Sequence, residues 1–245
     1  MGLSVHFKLA ASADTDAVRA RELVQAMRRR AQGFKRRGRV DDVLPIGDDA
    51  AALRWAIEYQ SIPVPGERGC YEGVVVPAEA GYIFPVVVGK DCEPLWLGLC
   101  RYPKTVLLAT RRCRTHLPGW RLSGFSKTQY ASLHGWEHFR RCHTAVVDLL
   151  HGMRGLGLAV EINDEADYWP GRSLAVLRKN LEQMNGAVAA LAGALKDGDE
   201  NTDHGARVES PIFHHPQFER LEAEGAEKMS DTLRNAREET SRLRP

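Results

Sequence analysis

The sequence predicts an α+β domain: a mostly antiparallel sheet with helices packed on one face, plus a C-terminal helical extension. Three observations carry this. Short runs with alternating apolar positions fill the first 130 residues, while apolar positions three and four apart dominate the second half. The resulting order of strand, helix, strands, helix, strand, helix argues for a sheet covered by segregated helices.

Each element follows from its local pattern. Leu3, Val5, Phe7 and Leu9 alternate as a half-buried strand does. Ser12-Ala13-Asp14 offers an N-cap, and Ala17, Ala20, Val24, Met27, Ala31 and Phe34 form one face of a helix that Gly33 and Gly38 help to end. Arg28, Arg29 and Arg30 lie toward its C-terminal end, where cations suit the helix dipole. A short helix is expected over Asp48–Tyr59, stopped by Pro63 and Pro65. Tyr71–Val76, Gly81–Val88, Pro94–Arg101 and Trp120–Tyr130 read as an antiparallel meander. Glu137–Arg154 is an amphipathic helix, Leu158–Ile162 a short strand, and Arg172–Leu195 a helix with seven apolar residues along one face. These boundaries give one domain over 1–196, a polar linker over 197–210, and a docking segment and charged helix over 211–245.

Composition narrows the class without naming a function. Hydrophobic residues make up 43% and charged residues 27% of 245, which excludes a collagen-like, coiled-coil or fully disordered chain. Neither a membrane-spanning run nor a secretory leader is apparent, and five cysteines (70, 92, 100, 113, 142) without a C-x-x-C pair read as reduced thiols. The expected location is the cytoplasm. The net charge of +2 conceals blocks: residues 19–39 carry +8, 40–100 carry −7 and 101–142 carry +8.

Three patterns bear on chemistry. His134-Gly135-Trp136-Glu137-His138 spells H-x-x-E-H, in which two histidines one helical turn apart bind zinc and the glutamate activates water. Gly135 in the first turn and the missing third ligand weigh against it. A second set comprises Glu93, Lys127, Gln129, His143, Asp164, Glu165 and Trp169. Lys127 and Gln129 share a face of the expected strand, His143 lies a turn or two into the next helix, and Asp164 and Glu165 close a short strand. Together they supply either an acid–base pocket with an anion contact or a buried ion-pair network. The third is the stretch 101–142, where Arg111, Arg112, Arg114, Arg121, Lys127, Arg140 and Arg141 interleave with Trp120, Phe125, Tyr130, Trp136 and Phe139, as a single-strand nucleic-acid groove requires. A sequence pI of about 8.3 ranks that reading last. No glycine-rich phosphate loop is present, and Cys142 and His143, adjacent on a helix, diverge by about 100° and do not form a dyad.

Lys127-Thr128-Gln129-Tyr130-Ala131 and Asp164-Glu165 followed by Tyr168-Trp169 combine with Cys92-Glu93-Pro94 and the segment from Pro211-Ile212 to Phe218-Glu219. In these motifs the chain resembles a bacterial family of no known activity, over nearly its whole length and most densely over 126–197. The resemblance implies a fold and candidate positions rather than a reaction. It also implies a residue other than His at position 138.

The reading favoured by the sequence is a cytoplasmic binding or interaction protein with a polar recognition pocket, taking a small ligand or a protein partner and no cofactor. A zinc-dependent hydrolase using His134, Glu137 and His138 is the first alternative and single-strand binding the second. The thin apolar stripe of the last helix (Leu221, Met229, Leu233) would suit pairing with a second copy of the chain.

Overall fold

The computed structural model describes residues 3–47, 61–65, 71–108, 111–199 and 209–242. The expected helix over Asp48–Tyr59 lies outside them. The fold is α+β. The strands are β1 (Ser4–Ala10), β2 (Asp42–Val43), β3 (Ser61–Pro65), β4 (Tyr71–Val75), β5 (Ala80–Val87), β6 (Leu95–Arg101), β7 (Thr105–Leu108), β8 (Arg111–Arg114), β9 (Trp120–Lys127) and β10 (Ala159–Asp164). The helices are α1 (Ala17–Arg36), α2 (Trp136–Gly152), α3 (Leu174–Asp199) and α4 (Phe218–Arg242).

Six strands form one antiparallel sheet in the order β10-β1-β9-β6-β5-β2. The meander expected from Tyr71 onward is therefore only partly realised. β5, β6 and β9 are neighbours, whereas β4 pairs with β3 in a separate two-stranded sheet, as β7 does with β8. The N-terminal strand sits between β9 and β10, with Phe7 opposite both Gly124 and Ile162.

One core lies between the sheet and helices α1 and α2. Val5, Phe7 and Leu9 of β1, Phe84 and Val86 of β5, Leu95, Leu97 and Leu99 of β6, and Leu122 of β9 are buried in it. Val24, Met27 and Ala31 of α1 and Phe139, Val146, Leu149 and Leu150 of α2 close it from the helix side. Each large apolar side chain removed from water contributes about 1.5–3 kcal/mol, so this period-matched burial fixes which face of β1 turns inward.

The chain departs from the expected boundaries at several points. Asp16 caps α1, its carboxylate accepting from Arg19 N–H at 2.7 Å. Ser12 and Asp14 instead bond to each other. Gly33 lies inside α1, buried; the helix runs on to Arg36, and Gly38 follows in the left-handed region. β9 stops at Lys127 and a 3-10 turn (Gln129–His134) follows, because Thr128, whose N–H still donates to the Leu3 carbonyl in the β1–β9 register, leaves extended geometry (φ −115°, ψ −7°) and turns the chain. α3 runs through Asp199 and so takes in the first residues of the expected linker.

α4 folds back along α3. Ile212, on a short 3-10 turn (Pro211–His214), and Leu221 are buried with Val188, Ala189 and Ala192 in a second, smaller cluster. The two helices approach so closely that a Cβ on Gly225 would collide with the Gly186 carbonyl oxygen. The apolar side of α4 at Leu221 is thus covered within the same chain. The side chains of Met229 and Leu233 are outside the described residues.

Candidate functional site

The helices cover one face of the sheet, and across β9, β1 and β10 the opposite face carries an open groove of about 490 Å³. Strand alternation builds it. His6 and Lys8 of β1 point away from the core between the buried Val5, Phe7 and Leu9. Ser123 and Phe125 of β9 and Glu161 and Asn163 of β10 lie in register beside them: His6 opposite Phe125 and Asn163, Lys8 opposite Ser123 and Glu161. Two ion pairs line the groove, Lys8 with Glu161 at 3.0 Å and His6 with Glu165 at 3.3 Å. The His6 ring lies 5.5 Å from the Phe125 ring. The site therefore offers both signs of charge, amide and hydroxyl groups, and an aromatic surface.

Glu165 is the residue of the expected seven that lines this groove. Its second carboxylate oxygen accepts from Ser4 N–H at 2.8 Å, which fixes the side chain at the junction of β1 and β10. Lys127 ends β9 with its ammonium 4.9 Å from the centre of the Tyr130 ring. Glu93 precedes β6 and is anchored by its backbone: its N–H donates to the Lys127 carbonyl (2.9 Å), and its carbonyl accepts from Ser126 Oγ (3.0 Å). Trp169 packs elsewhere, against His151 and under the guanidinium groups of Arg154 and Arg172.

His143, Asp164 and Gln129 lie on the core side of the sheet. Thr128 Oγ1 and His143 Nδ1 share a hydrogen bond of 2.8 Å, and His143 Nε2 lies 3.1 Å from Asp164 Oδ1. That last contact is close but off the N–H axis, so Nε2 has no aligned acceptor. Asp164 is otherwise satisfied by Ala166 N–H (2.9 Å) and Trp169 N–H (3.0 Å). Burial pushes its carboxyl up, but the His143 ring and the two backbone donors outweigh burial and hold it below the ordinary value. The sequence Thr–His–Asp has the connectivity of a hydrolase triad, yet Thr128 and His143 are fully buried. Nothing the size of a substrate reaches Thr128 Oγ1 in this conformation.

Gln129 joins a separate buried chain. It accepts from Leu3 N–H (3.1 Å) and donates to Asn185 Oδ1 (2.9 Å), and Asn185 in turn donates to Ser132 Oγ (3.1 Å). The expected shared face of Lys127 and Gln129 is not formed: the turn at Thr128 sends Gln129 into the interior while Lys127 stays on the outer face. Each buried bond of these networks contributes about 0.5–1.5 kcal/mol, and an orphaned partner costs about 1–3 kcal/mol.

No family model, curated protein or solved structure matches this chain. The local geometry is thus the basis for reading the site.

The H-x-x-E-H residues hold a turn in place. His134 ends the 3-10 turn and Gly135, at φ +89°, separates it from α2. His134 Nε2 bonds the Asp91 carboxylate, the His138 ring donates from Nε2 to the Lys90 carbonyl at 3.0 Å, and Glu137 turns outward onto Arg140 at 2.6 Å. Both histidines therefore grip the turn between β5 and β6. Among the described residues, no group of three or more His, Cys, Asp or Glu side chains could hold a metal ion. The aromatics of the basic stretch also disperse. Trp120 and Phe139 are buried in the core, Tyr130 lies beneath Lys127, and Trp136 lies beneath Arg178.

His6 and Lys8 were legible as the outward-facing positions of β1, whereas Ser123, Phe125, Glu161 and Asn163 were not assigned to that face from the sequence. Their convergence depends on pairing between segments more than 100 residues apart, which no local pattern marks.

Proposed function

We propose that this chain is a non-catalytic binding protein of the bacterial cytoplasm and that the groove across β9, β1 and β10 receives a small polar ligand. The observation that carries the reading is the pairing of Lys8–Glu161 and His6–Glu165 around Phe125 on an open sheet face. Exposed ion pairs of this kind add little to stability, about 0–1 kcal/mol each, so a ligand with its own charges displaces them at small cost. A zwitterion with a flat apolar portion fits this chemistry: its anionic end exchanges onto Lys8, its cationic end onto Glu165, and the apolar portion lies on Phe125. The sealed Thr128–His143–Asp164 set supports a structural role for the one triad-like arrangement described. No described helix is long and apolar enough to cross a membrane. The resemblance to a bacterial family with the Lys127–Ala131 and Asp164–Trp169 motifs belongs to the same proposal.

Amide-resolved NMR during titration with a panel of aromatic and aliphatic amino acids, dipeptides and their decarboxylated analogues tests this. The expected result is saturable shifts on β1, β9 and β10 that Glu165→Gln and Lys8→Ala each weaken. Shifts confined to other elements, or none at millimolar ligand, would overturn it.

A further inference from the structure

Cys92 and Cys142 are brought together by the turn between β5 and β6. Cys142 is on α2 and fully buried, its sulfur 3.8 Å from His138 Nε2 and 3.9 Å from the Val88 carbonyl oxygen. Cys92 closes the turn, its N–H donating to the Gly89 carbonyl at 3.2 Å, and is half-buried. The two thiols are near enough to influence each other's ionisation. The turn sits so low on the helix that a Cβ at Gly89 would lie 2.5 Å from Cys142 Sγ. It is held down by His134 on Asp91, by His138 on the Lys90 carbonyl and by Arg141, which donates to the Val88 carbonyl. Gripping the turn in this way seats the segment that carries Cys92 on Cys142, 50 positions further along the chain.

We infer that Cys92 and Cys142 are a modification site: a dithiol that a low-molecular-weight disulfide such as oxidised glutathione converts reversibly into an intramolecular disulfide. Cys92, the more exposed sulfur, meets the reagent. Cys142 enters as the thiolate, its proton already in solvent; the Cys92 thiol proton passes to it, and the Cys92 thiolate attacks one glutathione sulfur. The reagent's S–S bond breaks, a mixed disulfide forms on Cys92, and the first glutathione leaves as thiolate and takes up the proton that Cys142 had released to solvent. Cys142 then loses its own proton, which ends on the second departing glutathione, and its thiolate attacks Cys92 Sγ. Two protein thiols are thereby oxidised by two electrons, and one glutathione disulfide is reduced to two glutathione thiols. The interaction with Cys92 and the Arg141 charge favour the Cys142 thiolate against its burial, while the same interaction and burial push the Cys92 thiol up, so Cys142 is the base that takes the Cys92 proton as Cys92 attacks. Cys100, by contrast, is sealed in the core, where burial pushes its thiol up to about 12.

The test uses the full chain, reduced and then incubated with oxidised glutathione, quenched by alkylation and mapped by peptide mass spectrometry. The expected product is one linked peptide pair, Cys92–Cys142, reversed by dithiothreitol and unaffected by Cys113→Ser. Cys142→Ser is expected to accumulate the glutathione adduct on Cys92, because the resolving sulfur is gone. The inference is overturned if wild-type protein stays fully reduced, keeps glutathione on Cys92 without closing, or links a different pair. The map of the wild-type protein decides the matter even if the buried Cys142→Ser change impairs folding.

Discussion

Replacing Gly89 by alanine tests how tightly the β5–β6 turn is seated on α2. The added Cβ would stand 2.5 Å from Cys142 Sγ, 3.0 Å from Arg141 Nη2 and 3.3 Å from His138 Cε1. The arginine end moves away easily, but Cys142 is fully buried among core residues and does not. The turn must lift or the helix must shift, and overpacking of this size costs about 1–3 kcal/mol. A Gly→Ala change in a strain-free loop would instead stabilise by about 0.4–1 kcal/mol. The sign of the effect is therefore informative in itself. Cys142→Ala removes the obstructing sulfur and leaves a small cavity, costing about 1 kcal/mol by analogy with other small deletions from a core. In the double variant the new methyl occupies the vacated space, so its stability should match that of Cys142→Ala alone. The coupling energy is then about 2 kcal/mol in favour of the pair. Urea unfolding under reducing conditions, followed by far-UV circular dichroism and fitted with a common m value, measures all four corners of the cycle. Additivity within about 0.5 kcal/mol would refute the contact, as would an alanine that stabilises the protein.

Four further outcomes are expected. Asp164→Asn should destabilise by about 2–3 kcal/mol at neutral pH, because a buried carboxylate with two backbone donors and a histidine loses its charge. Since the folded carboxyl lies below its ordinary value, its contribution is complete above about 3.9, the unfolded value, and fades as pH falls through the lowered folded one. The variant's unfolding free energy should accordingly be flatter below pH 4, and identical acid limbs would contradict this. Gly225→Ala should free α4 from α3 through the clash with the Gly186 carbonyl, seen as faster amide exchange in α4 while β1 and β6 stay protected; unchanged α4 protection would count against the packing. Glu165→Gln should shift stability by less than about 1 kcal/mol, its partner His6 being nearly half exposed, while weakening the ligand-induced NMR shifts. Oxidation of the Cys92–Cys142 pair closes a loop of about 50 residues and should raise stability by up to about 4 kcal/mol, less any strain in the closed form. A melting temperature unmoved by verified closure would show that strain cancels the gain.

Much of the fold was legible because burial imposes a period. β1 and α2 each have one wet and one dry face, and their patterns place Phe7 and Phe139 inside without any knowledge of neighbours. The two-residue β2 is too short to carry a pattern. β9 reads through Thr128 because the residues beyond it are as strand-compatible as those before it. The strand ends where the Thr128 backbone turns out of extended geometry, which the residue types there do not mark. Asp16, rather than Asp14, caps α1 because capping depends on backbone dihedrals at one residue, and both carboxylates satisfy the composition rule. For the site, the sequence brought out residues that do meet, His143 with Asp164, but not that both lie beneath the sheet while Glu165, one position on, lies above it. A strand's alternation makes that separation certain once Asp164 is known to end β10. The histidines of H-x-x-E-H fit a zinc helix on spacing alone; Gly135 breaks the helix between them and lets both rings turn to the same backbone turn.

The position of β1 has a consequence for how the chain is made. Residues 4–10 emerge from the ribosome well before their partners in β9 and β10, which begin at Trp120 and Ala159. At roughly 5–20 residues per second, a strand bearing Val5, Phe7 and Leu9 waits on the order of ten seconds for its first neighbour. Throughout that interval both of its hydrogen-bonding edges and its apolar side are uncovered. The alternating His6 and Lys8, which later line the groove, put charge-bearing side chains on a segment that would otherwise pair with other nascent chains. The same two residues thus serve the protein twice, as gatekeepers during synthesis and as groove walls afterwards.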